Sequence, residues 1–293
     1  MKRFVFFLVC CLLLTCTACA QPDCAQVAAT TLPVYEFTAR LCQGTDITVT
    51  RLVTESVSCL HDYALNVNQV KAVEAAEVIV ISGAGMEEFM EDLLDGRKTI
   101  DASQSIELLR PEEHHHEHEE ESHEGHHHEE DPHIWLSPEC AYQMALNICN
   151  GLIQQYPQYA ETFTANFTTL AGELEALQLY GETQLSDLSC HDLITFHDGF
   201  AYFAESFGLE ILRAVEEESG SEASAAELIE LIEEVRHHDL PAIFIETNGS
   251  PSAASVISAE TGATVFSLDM AMSGESYFDA MYHNIDTIKE ALG

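Results

Sequence analysis

Residues 158–184 constrain the fold more than any other part of this 293-residue chain. Phe163, Phe167, Leu170, Leu174 and Leu177 recur at steps of four and three, which puts them on one stripe of an α-helix. About 27 residues rising 1.5 Å each make a rod roughly 40 Å long, longer than a small domain is wide. The rest of the chain must then be arranged along this rod. A shorter helix over 142–154 precedes it and stops before Pro157.

Strand and helix signals alternate on both sides of the rod. Before it, 47–53 alternates like a strand, 68–76 reads as a helix and Val78-Ile79-Val80-Ile81 as a short buried strand. That strand ends at Ser82-Gly83-Ala84-Gly85, and a helix over 86–94 follows. The two glycines suit a tight strand-to-helix turn better than a phosphate loop. After the rod, strands over 193–196, 242–245 and 264–268 alternate with helices over 200–207, 223–237, 252–261 and 277–292. Strand, turn and helix in that order imply parallel sheets with right-handed crossovers. The expected fold is therefore α/β: a lobe over 24–157, a spine over 158–185 and a second lobe over 186–293.

Residues 1–20 read as a targeting segment. Lys2 and Arg3 precede an apolar stretch over 4–14, too short to span a bilayer as a mature helix. Thr17-Ala18-Cys19 follows, with small residues directly before a cysteine, as in a bacterial lipoprotein processing site with Cys19 lipidated. Six cysteines come later: Cys24, Cys42, Cys59, Cys140, Cys149 and Cys190. None forms a CxxC pair, which argues against a thiolate zinc site. In an exported protein the natural expectation for them is disulfides, in a pairing the spacing does not choose.

The formal charge is -39, from 11 Lys plus Arg against 50 Asp plus Glu. Such a chain repels nucleic acid, and it suits a partner that is a cation. The candidate cation ligands are concentrated in one run. His114, His115, His116, His118, His123, His126, His127 and His128 are interleaved with glutamates across 112–131. With almost no apolar residue, the run has no face to bury and reads as a mobile loop. Imidazole mixed with carboxylate suits Zn²⁺ and similar divalent ions. His123-Glu124-Gly125-His126-His127 matches HExxH only formally, because that motif needs a helix with an apolar back.

Outside the run, three histidines lie just past a strand or in a loop leading to a helix. They are His61 beyond the 47–53 strand, His133 in Asp131-Pro132-His133-Ile134-Trp135-Leu136-Ser137-Pro138, and His197 at the end of the 193–196 strand. Glu246 and Asp269 also end strands. Open α/β sheets bind ligands beyond the carboxyl ends of their strands, so these groups are expected to face one cleft between the lobes. Three imidazoles and a carboxylate would make a tetrahedral zinc site, with Glu246 orienting an imidazole from outside. His191, His237, His238 and His283 read as surface residues. Ligand histidines must be neutral, so affinity should fall as pH drops through about 6.5.

Taken together, the His61 segment, Ser82-Gly83-Ala84-Gly85-Met86-Glu87, the histidine run leading into Asp131–Pro138, the spine, Thr195-Phe196-His197-Asp198-Gly199-Phe200-Ala201-Tyr202-Phe203, Ile245-Glu246 and Glu260-Thr261-Gly262-Ala263 resemble the solute-binding lipoproteins of zinc and manganese ABC importers. The likeness is to the zinc type of the cluster A-I receptors. It implies two α/β lobes on one rigid helix with the metal between them, His61, His133 and His197 as ligands, and Asp269 near the fourth position. Manganese-type members carry Glu in place of His197 and lack the histidine-rich loop, so the resemblance implies Zn(II). It further implies a lipid-anchored extracytoplasmic monomer that is not an enzyme and hands metal to a membrane permease. The alternatives are a receptor for manganese or another divalent metal, and a zinc-scavenging surface adhesin.

Overall fold

The computed structural model describes residues 27–57, 60, 63–110, 130–216 and 223–293. The targeting segment with Cys19, Cys24, Cys59, His61 and the loop histidines lie outside the described residues.

The first lobe runs β1 (Val27–Ala29), α1 (Leu32–Leu41), β2 (Val49–Arg51), α2 (Val67–Ala75), β3 (Val78–Ile81), α3 (Glu91–Leu94) and β4 (Thr99–Asp101). Its four strands lie in the order β2-β1-β3-β4, all parallel. Asn66 starts α2 with a capping box, its side chain accepting from the Gln69 backbone while the Gln69 side chain accepts from the Asn66 N–H. α4 (Pro138–Gln155) and the 25-residue α5 (Ala160–Gln184) follow. A 3₁₀ turn, Pro157–Tyr159, occupies the start expected for the spine.

The second lobe runs β5 (Asp192–His197), α6 (Ala201–Phe207), β6 (Glu210–Glu216), α7 (Ala225–His237), β7 (Ala242–Glu246), α8 (Ser252–Thr261), β8 (Thr264–Leu268) and α9 (Tyr277–Leu292). Its parallel sheet has the order β6-β5-β7-β8. The two lobes thus repeat one winding. Each sheet starts in the interior, steps out one way, and returns on the other side of its first strand.

Side chains alternate across each sheet. Val78 and Val80 point to the inner side, whereas Ile79 joins Leu52, Val73 and Met90 beneath α2. In β5, Leu193 points inward and Ile194 joins Leu231, Val235 and Ile257 beneath α7 and α8. The inner side is one continuous core. It runs from Val27 and Phe37 through Trp135, Ile148, Leu170 and Leu177 to Phe203, Tyr277 and Ile285. Four residues of the spine stripe are buried in it and Phe167 is half-buried, edge-on to Tyr142 at 5.5 Å. Each such burial stabilises the fold by about 2 kcal/mol. α5 packs on α1 and α4 from the first lobe and on α6 and α9 from the second, so it is a spine by contact as well as by length.

The disulfide expectation fails for the described cysteines. Cys42, Cys140, Cys149 and Cys190 are free thiols. Cys42 and Cys149 sit in the apolar core as small hydrophobes, where burial pushes both thiols up and Cys42 to about 12.

The turn after β3 is closed by Glu87, whose carboxylate is buried. Its Oε1 accepts from Thr30 Oγ1 (2.6 Å) and from the Ser82 N–H (2.7 Å), and Oε2 accepts from the Gly83 N–H (3.0 Å). Gly83 is needed here: its φ is +84°, and a Cβ would lie 2.0 Å from Asp101 Oδ1. Burial pushes the Glu87 carboxyl from 4.5 up to about 7 despite these three donors. Folding therefore favours the protonated form. The resulting stability is fully present below pH 4.5 and is lost as pH rises through 7, at most about 3 kcal/mol. Urea unfolding of metal-free wild type and Glu87→Gln should show it. Wild type should lose stability relative to the variant between pH 5 and pH 8; a pH-independent difference would show that the carboxyl titrates normally.

Candidate metal centre

His197 is the last residue of β5 and Glu246 the last of β7. These strands are neighbours, and between them the second sheet reverses its direction of winding. That reversal leaves a crevice at the carboxyl ends, where such sheets take ligands. His197 Nδ1 lies 3.1 Å from Glu246 Oε1. Gly199 lets the chain turn tightly over the ring, since a Cβ there would lie 2.7 Å from His197 Cδ2 and from Met270 Cε.

His133 reaches the same point from the first lobe. Asp131 Oδ1 accepts from both the backbone N–H and Nδ1 of His133, each at 2.8 Å. Pro132 between them has a fixed φ and no competing N–H. The fully buried Ile134, Trp135 and Leu136 then anchor a 3₁₀ turn, and Ser137 caps α4 by accepting from the Cys140 N–H at 3.3 Å.

The two imidazoles meet edge to face, their planes at 89° and their Nε2 atoms 3.4 Å apart. Both residues are only 2% exposed. A carboxylate against Nδ1 keeps the proton there and makes Nε2 the electron-pair donor. Two donors aimed at one point repel unless a cation lies between them. Around a tetrahedral zinc with bonds of 2.0–2.1 Å, two ligand nitrogens are separated by about 3.3–3.4 Å. The observed spacing matches that edge.

Glu246 and Asp269 line one small cavity with Val57, Thr247, Asn248, Met270 and Ser273. Asp269 Oδ1 accepts from the Ala271 N–H at 2.8 Å, and Asn284 brackets the Asp269 backbone with two 2.7 Å hydrogen bonds. Among the described residues no three His, Cys, Asp or Glu side chains form a group able to hold a metal ion. The pair is what the described chain contains; His61 falls outside it.

The base of the histidine run is tied to this site. The Asp131 N–H donates to Leu109 O (2.8 Å), and Tyr202 of α6 holds both stems, donating to Asp131 O (3.0 Å) and accepting from the Leu109 N–H (2.9 Å). His191, His237, His238 and His283 are exposed, as expected of surface residues. The sequence reading missed Asp131 as the partner of His133. The signal was present in the Asp-Pro-His order, where one residue of separation lets a carboxylate reach back over a rigid proline.

Fold and site together define a bilobed α/β protein built on a spine helix, with a buried pair of imidazoles where the lobes meet. A family model described as zinc-uptake complex component A, periplasmic, matches residues 27–291. The zinc-binding lipoprotein AdcA of Streptococcus pneumoniae is 31% identical over 99% of this chain, and the chain spans only 61% of that relative's length. The manganese-binding lipoprotein MntA of Halalkalibacterium halodurans is 25% identical, over 79% of this chain and 77% of its own. The solved Zn(II)-bound ZnuA-like domain of the pneumococcal AdcA is 29% identical and superposes with a TM-score of 0.75, covering 91% of this chain and 98% of that one. The chain belongs to the ZnuA family of zinc-uptake receptor components.

Proposed function

We propose that the protein is an extracytoplasmic receptor that captures Zn(II) between its lobes and delivers it to the permease of an ABC importer. The observation that carries this is the buried pair of Nε2 atoms at 3.4 Å, each imidazole backed by its own carboxylate. His133, His197 and His61 are the imidazole ligands, with Asp269 completing the set. Asp131 and Glu246 fix the tautomers and raise the basicity of the rings they touch. The histidine run over 112–131, rooted at Leu109 and Asp131, gathers metal weakly beside the cleft and raises its local concentration. Cys19 carries the lipid anchor, and the receptor works as a monomer.

Three imidazoles favour zinc over manganese, a harder ion suited to carboxylate, carbonyl and water. The manganese-binding relative makes manganese the second reading. Anomalous scattering from crystals grown with both ions, recorded on either side of the zinc edge, decides between them. A zinc peak within about 2.1 Å of both Nε2 atoms is expected. A peak that persists below the zinc edge assigns manganese, and zinc found only along the histidine run ends the cleft reading.

A further inference from the structure

The chain has only 11 lysines and arginines together, and the Arg51 guanidinium is committed to backbone carbonyls. Arg51 ends β2 in the first lobe. Its Nε donates to Val53 O (2.6 Å), at the start of the segment that leads to His61. Its Nη1 donates to Gly274 O (2.7 Å) and its Nη2 to Met272 O (3.1 Å), both in the other lobe. The group is half-buried, and a guanidinium gives up hydration to sit there.

The carbonyls it meets belong to a pattern. Beyond β8, alternate carbonyls at 270, 272 and 274 all accept from the first lobe. Trp135 Nε1 donates to Met270 O at 2.7 Å, the Leu32 N–H and Arg51 to Met272 O, and Arg51 again to Gly274 O. The 270–274 segment has no ladder of its own, and Ala271 within it is left-handed at φ 53°. Asp269 stands immediately before it.

We infer that Arg51 is a positioning residue of the metal centre, a strap that holds the 270–274 segment, and Asp269 with it, against the lobe that supplies His133. One fork joins the root of the His61 segment to the root of Asp269. Metal release then requires that strap to open. The inference rests on the zinc-cleft reading and adds the group that sets how fast the cleft lets go.

The test measures zinc release from full-length protein into excess chelator by stopped flow, for wild type, Arg51→Met, Asp269→Asn and the double variant. The methionine variant keeps an unbranched stem and loses every donor. Zinc should still bind one to one in Arg51→Met, with release about 10–100-fold faster, the range for groups that orient metal ligands. The double variant should release little faster than the faster single, because both changes disable one contact. Arg51→Lys retains the charge, but its donors share one nitrogen and do not reproduce the fork that spans the Val53, Met272 and Gly274 carbonyls, so it should also release faster; it carries the test if the methionine variant does not fold. Unchanged release, or effects that multiply in the double variant, overturn the inference and leave Arg51 an ordinary fold contact. Wild-type protein with no tight site overturns the cleft reading and this inference with it.

Discussion

His197→Ala is expected to abolish tight zinc binding. The substitution removes one of the two facing Nε2 atoms and leaves Glu246, 5% exposed, without the ring beside it. Losing a carboxylate that only orients a ligand costs about 10–100-fold in metal affinity. Losing the ligand itself should cost more, so affinity should fall by at least about 100-fold. Glu246→Gln should fall within the smaller range, because the amide keeps an oxygen beside Nδ1 but no longer polarises the ring. Competition with chelators of graded affinity at fixed pH reads both. Deletion of 111–129 should leave the tight site in place, since the two described imidazoles and their carboxylates lie outside it. If His197→Ala competes as wild type does, the pair is a packing contact and the metal binds elsewhere.

The sequence was informative where a pattern was long or repeated. The spine stripe lay on one face because four- and three-residue steps over two dozen positions have no other regular solution. The Val78–Ile81 and Thr264–Leu268 strands were legible because their apolar runs stop at turn residues. β1 and β4 were not, because three residues carry no period, and they become strands only when β3 lies between them. α1 was hidden by Pro33, which reads as a break although it sits in the first helical turn, where its missing N–H costs nothing. β6 was hidden because it is an edge strand with charged ends. At the site, His133, His197 and Glu246 stood out by residue type and by place, His197 and Glu246 at strand ends and His133 in the loop leading into α4. The approach of the two Nε2 atoms to 3.4 Å did not, because a distance between lobes is set by the whole core. The four described cysteines were misread from their compartment: export permits disulfides, but apolar burial of Cys42 and Cys149 serves packing instead.

That shared core makes Trp135 the residue whose loss should damage the fold most. The only tryptophan in the chain is completely buried. Its Nε1–H donates to Met270 O, its own carbonyl accepts from the Tyr277 hydroxyl at 2.8 Å, and its ring lies edge-on to His133 at 5.4 Å. Two of those contacts cross between the lobes and the third supports a metal-site imidazole. Trp135→Ala leaves a cavity the continuous core closes only in part, at a cost of about 3–5 kcal/mol. The orphaned Met270 carbonyl adds about 1–3 kcal/mol. Trp135→Phe keeps most of the apolar contact and loses the donor, so it should cost about 1–3 kcal/mol, chiefly that carbonyl. Urea unfolding of metal-free protein, followed by far-ultraviolet circular dichroism, separates the two. The alanine variant should keep a single transition at a lower midpoint, because one large cluster spans both lobes and the clusters each lobe keeps beneath its outer helices are small beside it. Two transitions in that variant would show that the lobes fold independently. A loss below about 1 kcal/mol would mean that the indole is not packed across the seam, far short of what deleting a buried tryptophan costs.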